Sequence, residues 1–254
     1  MASLINPLLA LIATGHAFDK HVLGKDGGDR EFSDRRFGAP LNVASYKDAA
    51  KLLQDIVRDK ENTVIAYNAD ECLVSLANTA KNVYIAIDAK AGDGDCGSFY
   101  RPQNPSNNPE QTLDCLVRKT EKFAASEHSY TFATKPEEVS KMVDEFTQKI
   151  RVCRQAIRRL KEPEVREVID MLNKREETLD AQAEAKANKR TEDKIAEAFI
   201  RFAKKAAPED YDIEISGEGR ATVTYIQKED LKEVQLSERN TKKVVQALNL
   251  AVPA

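Results

Sequence analysis

The sequence predicts an α+β fold, in which N-terminal helices pack on a small antiparallel sheet and a mainly helical C-terminal region contains one β-hairpin. Three observations support this fold class. Helical periodicity dominates before residue 60, three short apolar runs lie between residues 63 and 88, and Ala, Glu, Lys and Arg dominate after residue 136. Helices followed by consecutive short strands are typical of an α+β domain.

The N-terminal half begins with a predicted helix from Leu4 to Leu23 that is broken at Gly15. Ser45 is placed to cap a second helix, because apolar residues then recur on one face of "YKDAAKLLQDIVRDK". Three strands follow, "TVIAYN", "CLVSLA" and "NVYIAID", and their separators have the length and residue types of hairpin turns. "GSFYRP" is a candidate fourth strand, and Pro109 opens a further helix.

The C-terminal half is predicted to start with a helix from Pro136 to Leu160, interrupted by Pro163. A second helix covers roughly residues 164–190, and Thr191 with the following acidic residues starts a third. One β-hairpin lies near residues 210–227, and a last helix starts in "KEDLKEV". We therefore expect two domains, residues 1–130 and 136–254.

Composition restricts the functional classes. The 254 residues are 41% hydrophobic and 32% charged, as in an ordinary globular chain, and the formal net charge is −3. This balance gives no general attraction to nucleic acid, although a local basic patch would be sufficient for RNA. No apolar run reaches the ~18 residues of a membrane span. "LLALIA" has the length of a signal-peptide core, but no lysine or arginine precedes it, which favours a cytoplasmic protein.

The four cysteines are widely spaced and contain no C-x-x-C pair, which argues against a zinc ribbon or a thioredoxin-type centre. We expect free, buried thiols. One disulfide among the first three is the alternative for a protein outside the cytosol. The residues are Cys72, Cys96, Cys115 and Cys153.

"GHAFDKHV" contains two of the three histidines. On a helix, His16 and Lys20 share one side while Phe18 and Val22 lie nearly opposite. His21 flanks the apolar stripe. An imidazole suits proton transfer near neutral pH, and an ammonium group suits a developing phosphate charge. The alternative is a surface helix whose histidines have no chemical role; the spacing disfavours a metal site, and none is predicted.

"DAKAGDGDCGSFYRP" is the second candidate. Three glycines form a loop between strands, and Ser98 and Arg101 follow it. Being three residues apart, these two face opposite sides of a regular strand, and a bulge would be needed to bring them together. The alternative is an ordinary glycine-rich hairpin loop.

Asp88-Ala89-Lys90 ends an apolar strand, and Asp70 and Glu71 precede it near another strand end. This pattern is similar to the magnesium-binding carboxylates of PD-(D/E)xK nucleases. A solvent-exposed strand end is the alternative explanation of the same residues.

Taken together, "GHAFDKHV", "EF" at Glu31-Phe32 and "NVYIAIDAKAGDGDCGSFYRP" resemble nuclease toxin domains of contact-dependent inhibition and other polymorphic bacterial toxins. Such domains show an H-A-F-x-K-H-V helix and a late D-G-G-T-x-F-R-P strand. The resemblance covers about residues 10 to 105. It implies the fold of barnase-like, RelE-like and colicin-D-like ribonucleases.

The resemblance also implies an activity: metal-independent and cofactor-independent RNA cleavage, often of tRNA. One of His16 and His21 would deprotonate the ribose 2′-hydroxyl, and the other histidine or a water would protonate the leaving oxygen. Lys20 and Arg101 would stabilise the phosphate, and Ser98 would donate a hydrogen bond to it. An immunity or inhibitor protein is the implied partner, and the site of action is the cytoplasm of a host or target bacterium, with secreted delivery as an alternative.

The C-terminal half carries a locally basic stretch, "KIRVCRQAIRRLK". Arg151, Arg154 and Arg158 share one helical face, which is either an RNA-docking face or a solvated helix face. The C-terminal helices are also candidates for forming a homo-oligomer. Three hypotheses remain open: a metal-independent endoribonuclease, a metal-dependent nuclease using Asp88 and Lys90, and a non-enzymatic structural or interaction protein such as a phage virion component.

Overall fold

A computed structural model describes residues 5–68, 73–88, 95–124, 131–149, 154–227 and 230–250. The fold is α+β, as predicted, and its N-terminal sheet is antiparallel. The chain divides into two compact units, Met1–Glu177 and Thr178–Ala254. Each unit has its own hydrophobic core.

The described part of the first unit contains a five-stranded sheet, five α-helices, a short π-helix and a 3₁₀ turn (Arg35–Phe37), and a sixth α-helix starts in it. The strands are β1 (Thr63–Asn68), β2 (Leu73–Asn78), β3 (Val83–Asp88), β4 (Gly97–Tyr100) and β5 (Thr131–Ala133), in the spatial order β4-β3-β2-β1-β5. The helical elements are α1 (Asn6–Ala13), the π-helix (Phe18–Val22), α2 (Tyr46–Arg58), α3 (Pro109–Ala124), α4 (Pro136–Lys149), α5 (Arg154–Arg159) and α6 (Pro163–Ala203).

The sheet separates two apolar layers, because side chains alternate between its faces. On one face, Ile65, Ile85 and Phe99 belong to a large core with Leu8 of α1 and Leu53 of α2. The other face is covered by α3: Ala66, Ala77 and Tyr84 are packed with Leu116. The edge strand β4 therefore lies between the N-terminal helices and α3.

Local sequence signals account for most of these elements. Ser45 caps α2, since its hydroxyl accepts a hydrogen bond from the backbone N–H of Asp48 at 3.2 Å. The consecutive hairpins β1–β2 and β2–β3 are antiparallel, as their short separators predict. Strand β5 was not predicted. It has only three residues, too few to show an alternating pattern.

The boundary between the two units falls later than expected from the sequence, at Glu177 and not at residues 130–136. Pro136 starts a helix without starting a domain. Residues of α4, α5 and the first part of α6 are buried in the same core as α1 and α2: Val139, Phe146, Ala156, Val168 and Leu172. The change in composition near residue 136 marks more exposed helices, and not a second core.

Helix α6 is continuous over 41 residues, whereas a new helix start was expected at Thr191. The hydroxyl of Thr191 donates to the carbonyl of Ala187 at 3.0 Å, one turn back in the same helix. A threonine can make this bond inside a helix, so its presence with acidic neighbours does not require a cap. Residues 181–191 are exposed on every side of the helix.

The second unit contains the end of α6, a three-stranded sheet and a final helix. The elements are β6 (Tyr211–Ile215), β7 (Ala221–Gln227), β8 (Asp230–Leu236) and α7 (Glu238–Leu248). The predicted hairpin is confirmed as β6–β7. Strand β8 corrects the prediction of a helix there: Val234 and Leu236 alternate inward, and they pair with Val223 and Ala221 of β7. Phe199 and Val244 complete this core.

Two further expectations concern the membrane and the cysteines. In the described part of the chain, no helix is both long and apolar enough to span a membrane. Cys96 is buried and Cys115 half-buried, and no disulfide joins these two described cysteines. Cys72 and Cys153 lie outside the described residues.

Removing the α2 cap tests the first unit. We expect Ser45→Ala to lower the free energy of unfolding by about 1 kcal/mol, because the N–H of Asp48 loses its acceptor. Urea denaturation measures this loss. Ser45→Thr keeps the hydroxyl and is the matched control, so equal midpoints for the alanine and threonine variants would contradict the capping role.

Glu192 gives the second unit a pH dependence. Burial opposes ionisation of this carboxylate, but hydrogen bonds from Ser237 (2.6 Å) and Asn240 (3.0 Å) outweigh it and hold the pKa of Glu192 below its ordinary 4.5. A lowered pKa stabilises the fold above the ordinary value, and that stability disappears as the pH falls through the folded-state pKa.

Glu192→Gln keeps both acceptor bonds but cannot ionise. We expect the wild type to be the more stable protein near pH 6, and the difference to shrink as the pH falls below the ordinary glutamate pKa of 4.5 and through the lower folded-state pKa. Thermal unfolding of the two proteins across this range measures it. A difference that stays constant with pH would show that the charge of Glu192 plays no part.

Candidate active site

The "GHAFDKHV" segment forms a π-helix after the break at Gly15. The N–H of Leu23 donates to the carbonyl of Phe18, five residues back, at 3.1 Å. Phe18 and Val22 are buried, as the predicted apolar stripe requires. Single π-turns are common at functional sites, because they redirect the side chains that follow. Here the wider turn carries Lys20 and His21.

Glu31 holds His21 by two contacts. The Nδ1 atom of His21 lies 2.7 Å from Oε1 of Glu31, and the backbone N–H of Glu31 donates to the carbonyl of His21 at 2.9 Å. The His21 side chain is 17% exposed and that of Glu31 10%. Because a carboxylate can only accept, this contact places the proton of a neutral imidazole on Nδ1 and leaves Nε2 as an acceptor.

Arg101 supports the same carboxylate from the opposite side. Its backbone N–H donates to Oε2 of Glu31 at 2.7 Å, and its Nη1 donates to the Glu31 carbonyl at 3.3 Å. Its Nε donates to the carbonyl of Asn82 at 3.4 Å. The residue is only 2% exposed, and burial lowers the pKa of its guanidinium. Arg101 therefore does not present its charge to a substrate, contrary to the expected phosphate contact.

Tyr100 and Ser98 lie on the α3-covered face of β4. The Tyr100 ring is 5.6 Å from the His21 ring, centroid to centroid, and its hydroxyl lies 3.6 Å from the sulfur of Cys115. Burial raises the pKa of Tyr100, and Cys115 adds to the shift, so the phenol stays protonated. Ser98 is half-buried and pairs with Ala86.

No bulge brings Ser98 and Arg101 together. Strands β3 and β4 pair residue by residue from Ile87 with Gly97 to Tyr84 with Tyr100. Alternation therefore puts Ser98 on the face of Tyr100, while Arg101 follows the strand on the side of Phe99. The regular-strand alternative is the one that the structure adopts.

Lys20 and His16 are less constrained than His21. Lys20 is half-buried, and among the described residues its ammonium has no hydrogen bond or ion pair. Gly28 packs on the backbone of Lys20, where a Cβ would lie 2.2 Å from the Lys20 carbonyl oxygen. His16 is exposed, and its backbone N–H donates to Asp95 at 3.3 Å.

Arg159 fixes the corner that precedes the π-helix. It donates to the carbonyl and the hydroxyl of Thr14, both at 2.9 Å, and to Oδ1 of Asp95 at 2.5 Å. The other carboxylate oxygen of Asp95 accepts from the His16 N–H. Arg159 belongs to the locally basic stretch but not to the predicted docking face, and its contacts lie within the first unit.

The predicted RNA-docking arginines are described only in part. Arg158 is exposed on α5. Arg154 begins that helix but its side chain lies outside the description, and Arg151 lies outside the described residues altogether. The docking face therefore stays a prediction.

The alternative metal site is also described only in part. Asp88 ends β3, and its N–H donates to the Cys96 carbonyl at 2.9 Å. Lys90, Asp70 and Glu71 lie outside the described residues. Among the residues that the structure describes, no group of three or more His, Cys, Asp or Glu side chains is arranged to hold a metal ion.

The resemblance to nuclease toxin domains includes Glu31 but implies no role for it. Gly24 and Gly27, both at positive φ, help turn the chain back so that Glu31, ten residues on, returns to His21. The glycine-rich stretch after the histidines was the available signal. No known protein family, curated protein or solved structure matches the chain, so the resemblance to nuclease toxins stays a prediction.

Glu31→Gln tests how Glu31 holds the imidazole. We expect the side-chain oxygen of the introduced glutamine to keep the bond from the Arg101 N–H, so that its NH₂ group faces His21. Nδ1 must then accept, and the proton of the neutral ring moves from Nδ1 to Nε2. Proton–nitrogen correlation spectra of the histidine rings above about pH 8 distinguish the two tautomers.

The exposed ring of His16 serves as the internal control, since it has no contact with Glu31. An unchanged His21 tautomer in the variant would show that Glu31 does not determine where the proton sits.

Proposed function

We propose that the first unit is a metal-independent endoribonuclease in which His21 is the general acid–base. The observation that supports this most directly is the 2.7 Å contact between Nδ1 of His21 and the buried carboxylate of Glu31. A carboxylate in this position fixes the tautomer and the orientation of an imidazole. The sequence resemblance supplies RNA as the substrate, with tRNA as a candidate.

The proposed reaction is a transfer to the neighbouring hydroxyl. Nε2 of His21 takes the proton of the ribose 2′-hydroxyl, and the 2′-oxygen forms a bond to phosphorus. The bond from phosphorus to the 5′-oxygen then breaks, and the leaving oxygen takes a proton from His16 or from water. The products are a 2′,3′-cyclic phosphate and a 5′-hydroxyl end, so atoms and charge balance without a metal ion.

Negative charge that develops on the phosphate needs nearby donors. In this proposal the donors are the Lys20 ammonium, which is free of partners among the described residues, and the Ser98 hydroxyl. Arg101 was expected to contact the phosphate. In this proposal it instead positions Glu31 through its backbone N–H and does not contact the phosphate.

His21→Ala tests the proposal directly. We expect cleavage of purified tRNA or total bacterial RNA to fall by about 10²–10⁴-fold, the usual contribution of a general acid–base. Wild type should be equally active with and without EDTA. Gel analysis of the RNA and of its cyclic-phosphate ends measures both, and circular dichroism confirms that the variant is folded.

Two matched variants separate the alternatives. His16→Ala should reduce cleavage as strongly as His21→Ala only if His16 supplies the leaving-group proton. If Asp88→Ala is inactive and EDTA also abolishes the wild-type activity, the metal-dependent nuclease is favoured. Wild-type protein that cleaves none of these RNAs would contradict the ribonuclease proposal and favour a structural or interaction protein.

A further inference from the structure

A cavity of about 310 Å³ lies in the first unit among α1, α2, α4 and the start of α6. It shares no residue with the site around His21. Its walls combine apolar, polar and charged groups, including Ile5, Val57, Lys60, Val143, Asp144 and Thr147. A volume of this size is at the small end of ligand-binding pockets.

Lys60 is the cavity's amine. It follows α2, is half-buried, and its Nζ donates to the carbonyl of Val57 at 2.5 Å. That carbonyl belongs to the last turn of α2, whose carbonyls lack partners within the helix. The amine is therefore held in one place beside the apolar walls.

The acceptor of this hydrogen bond distinguishes Lys60 from five other lysines of the described chain. Their side-chain hydrogen bonds go to carboxylates: those of Lys25, Lys47, Lys232, Lys242 and Lys243. Removing a proton from such a lysine breaks an ion pair. Lys60 keeps its bond to a neutral carbonyl when it loses a proton, because a neutral amine still has N–H groups to donate.

The charges around the cavity act on the same amine. Burial lowers the pKa of Lys60; the Asp144 carboxylate raises it and the Arg58 guanidinium lowers it. Glu176 is the remaining titratable group on the wall, and it accepts a hydrogen bond from Asn6 and lies 3.8 Å from Arg58. The neutral amine, which carries the nucleophilic lone pair, is thus more populated than on an exposed lysine.

We propose that Lys60 is a covalent attachment site for small aliphatic aldehydes, which the cavity binds through Ile5, Val57 and Val143. The Lys60 nitrogen bonds to the carbonyl carbon, and the carbonyl oxygen leaves as water with the two protons of the amine. The product is an imine. No oxidant, reductant or metal takes part.

Butanal is a suitable probe for the full-length chain. Its imines are trapped by reduction with cyanoborohydride at short reaction times, before labelling is complete. Peptide mass mapping then gives the initial rate of labelling at each lysine. We expect Lys60 to react at least about threefold faster than the exposed Lys51 of α2, since neutral amine and a bound aldehyde both favour it. The labelling rate at Lys60 should saturate as the butanal concentration rises. Butan-1-ol, which cannot form an imine, should compete for the cavity and slow labelling at Lys60 but not at Lys51.

Two variants complete the test. Asp144→Asn removes the carboxylate that favours the ammonium, so labelling of Lys60 should rise while Lys51 stays unchanged. Lys60→Arg should abolish the label at that peptide only. Labelling of Lys60 no faster than Lys51, or a rate that neither saturates nor responds to butan-1-ol, would overturn the proposal. Labelling is measured without RNA, so its result is independent of the ribonuclease proposal.

Discussion

One buried carboxylate organises the N-terminal unit's candidate site. Glu31 accepts from the imidazole of His21 with one oxygen and from the backbone of Arg101 with the other. A buried charge without partners would be strongly unfavourable, so each partner makes the other's contact possible. The π-helix, the glycine-rich loop and the end of β4 meet at this group. A change in any of the three must be accommodated by Glu31.

The two ends of the π-helical segment differ in how firmly they are held. His21 is fixed by Glu31 and is adjacent to the ring of Tyr100. At the other end only the backbone of His16 is bound, through Asp95, and its ring lies exposed. A side chain that moves a proton repeatedly benefits from a fixed orientation, whereas a group that meets solvent does not need one. This difference favours His21 over His16 as the proposed general acid–base.

Local signals allowed much of the fold to be predicted. The cap at Ser45 and the alternation in β1 to β3 depend on neighbours in sequence, so they can be read from the chain. Strand β8 was missed, because its exposed charged residues also fit a helix. The extent of the first unit depends on packing across more than 100 residues, which composition does not record.

The candidate site could likewise be predicted only where it depends on neighbours in sequence. The position of His21 beside an apolar stripe was predictable from helical periodicity. Its contact with Glu31 depends on the path of a loop, and the burial of Arg101 is unusual for its residue type.

Helix α1 has a consequence for synthesis: its Asn6 bonds to Asn173 and Glu176, 167 and 170 residues later. At the usual rate of chain elongation, the ribosome needs on the order of ten seconds to synthesise the residues between this apolar helix and those partners. During that time the helix is without them.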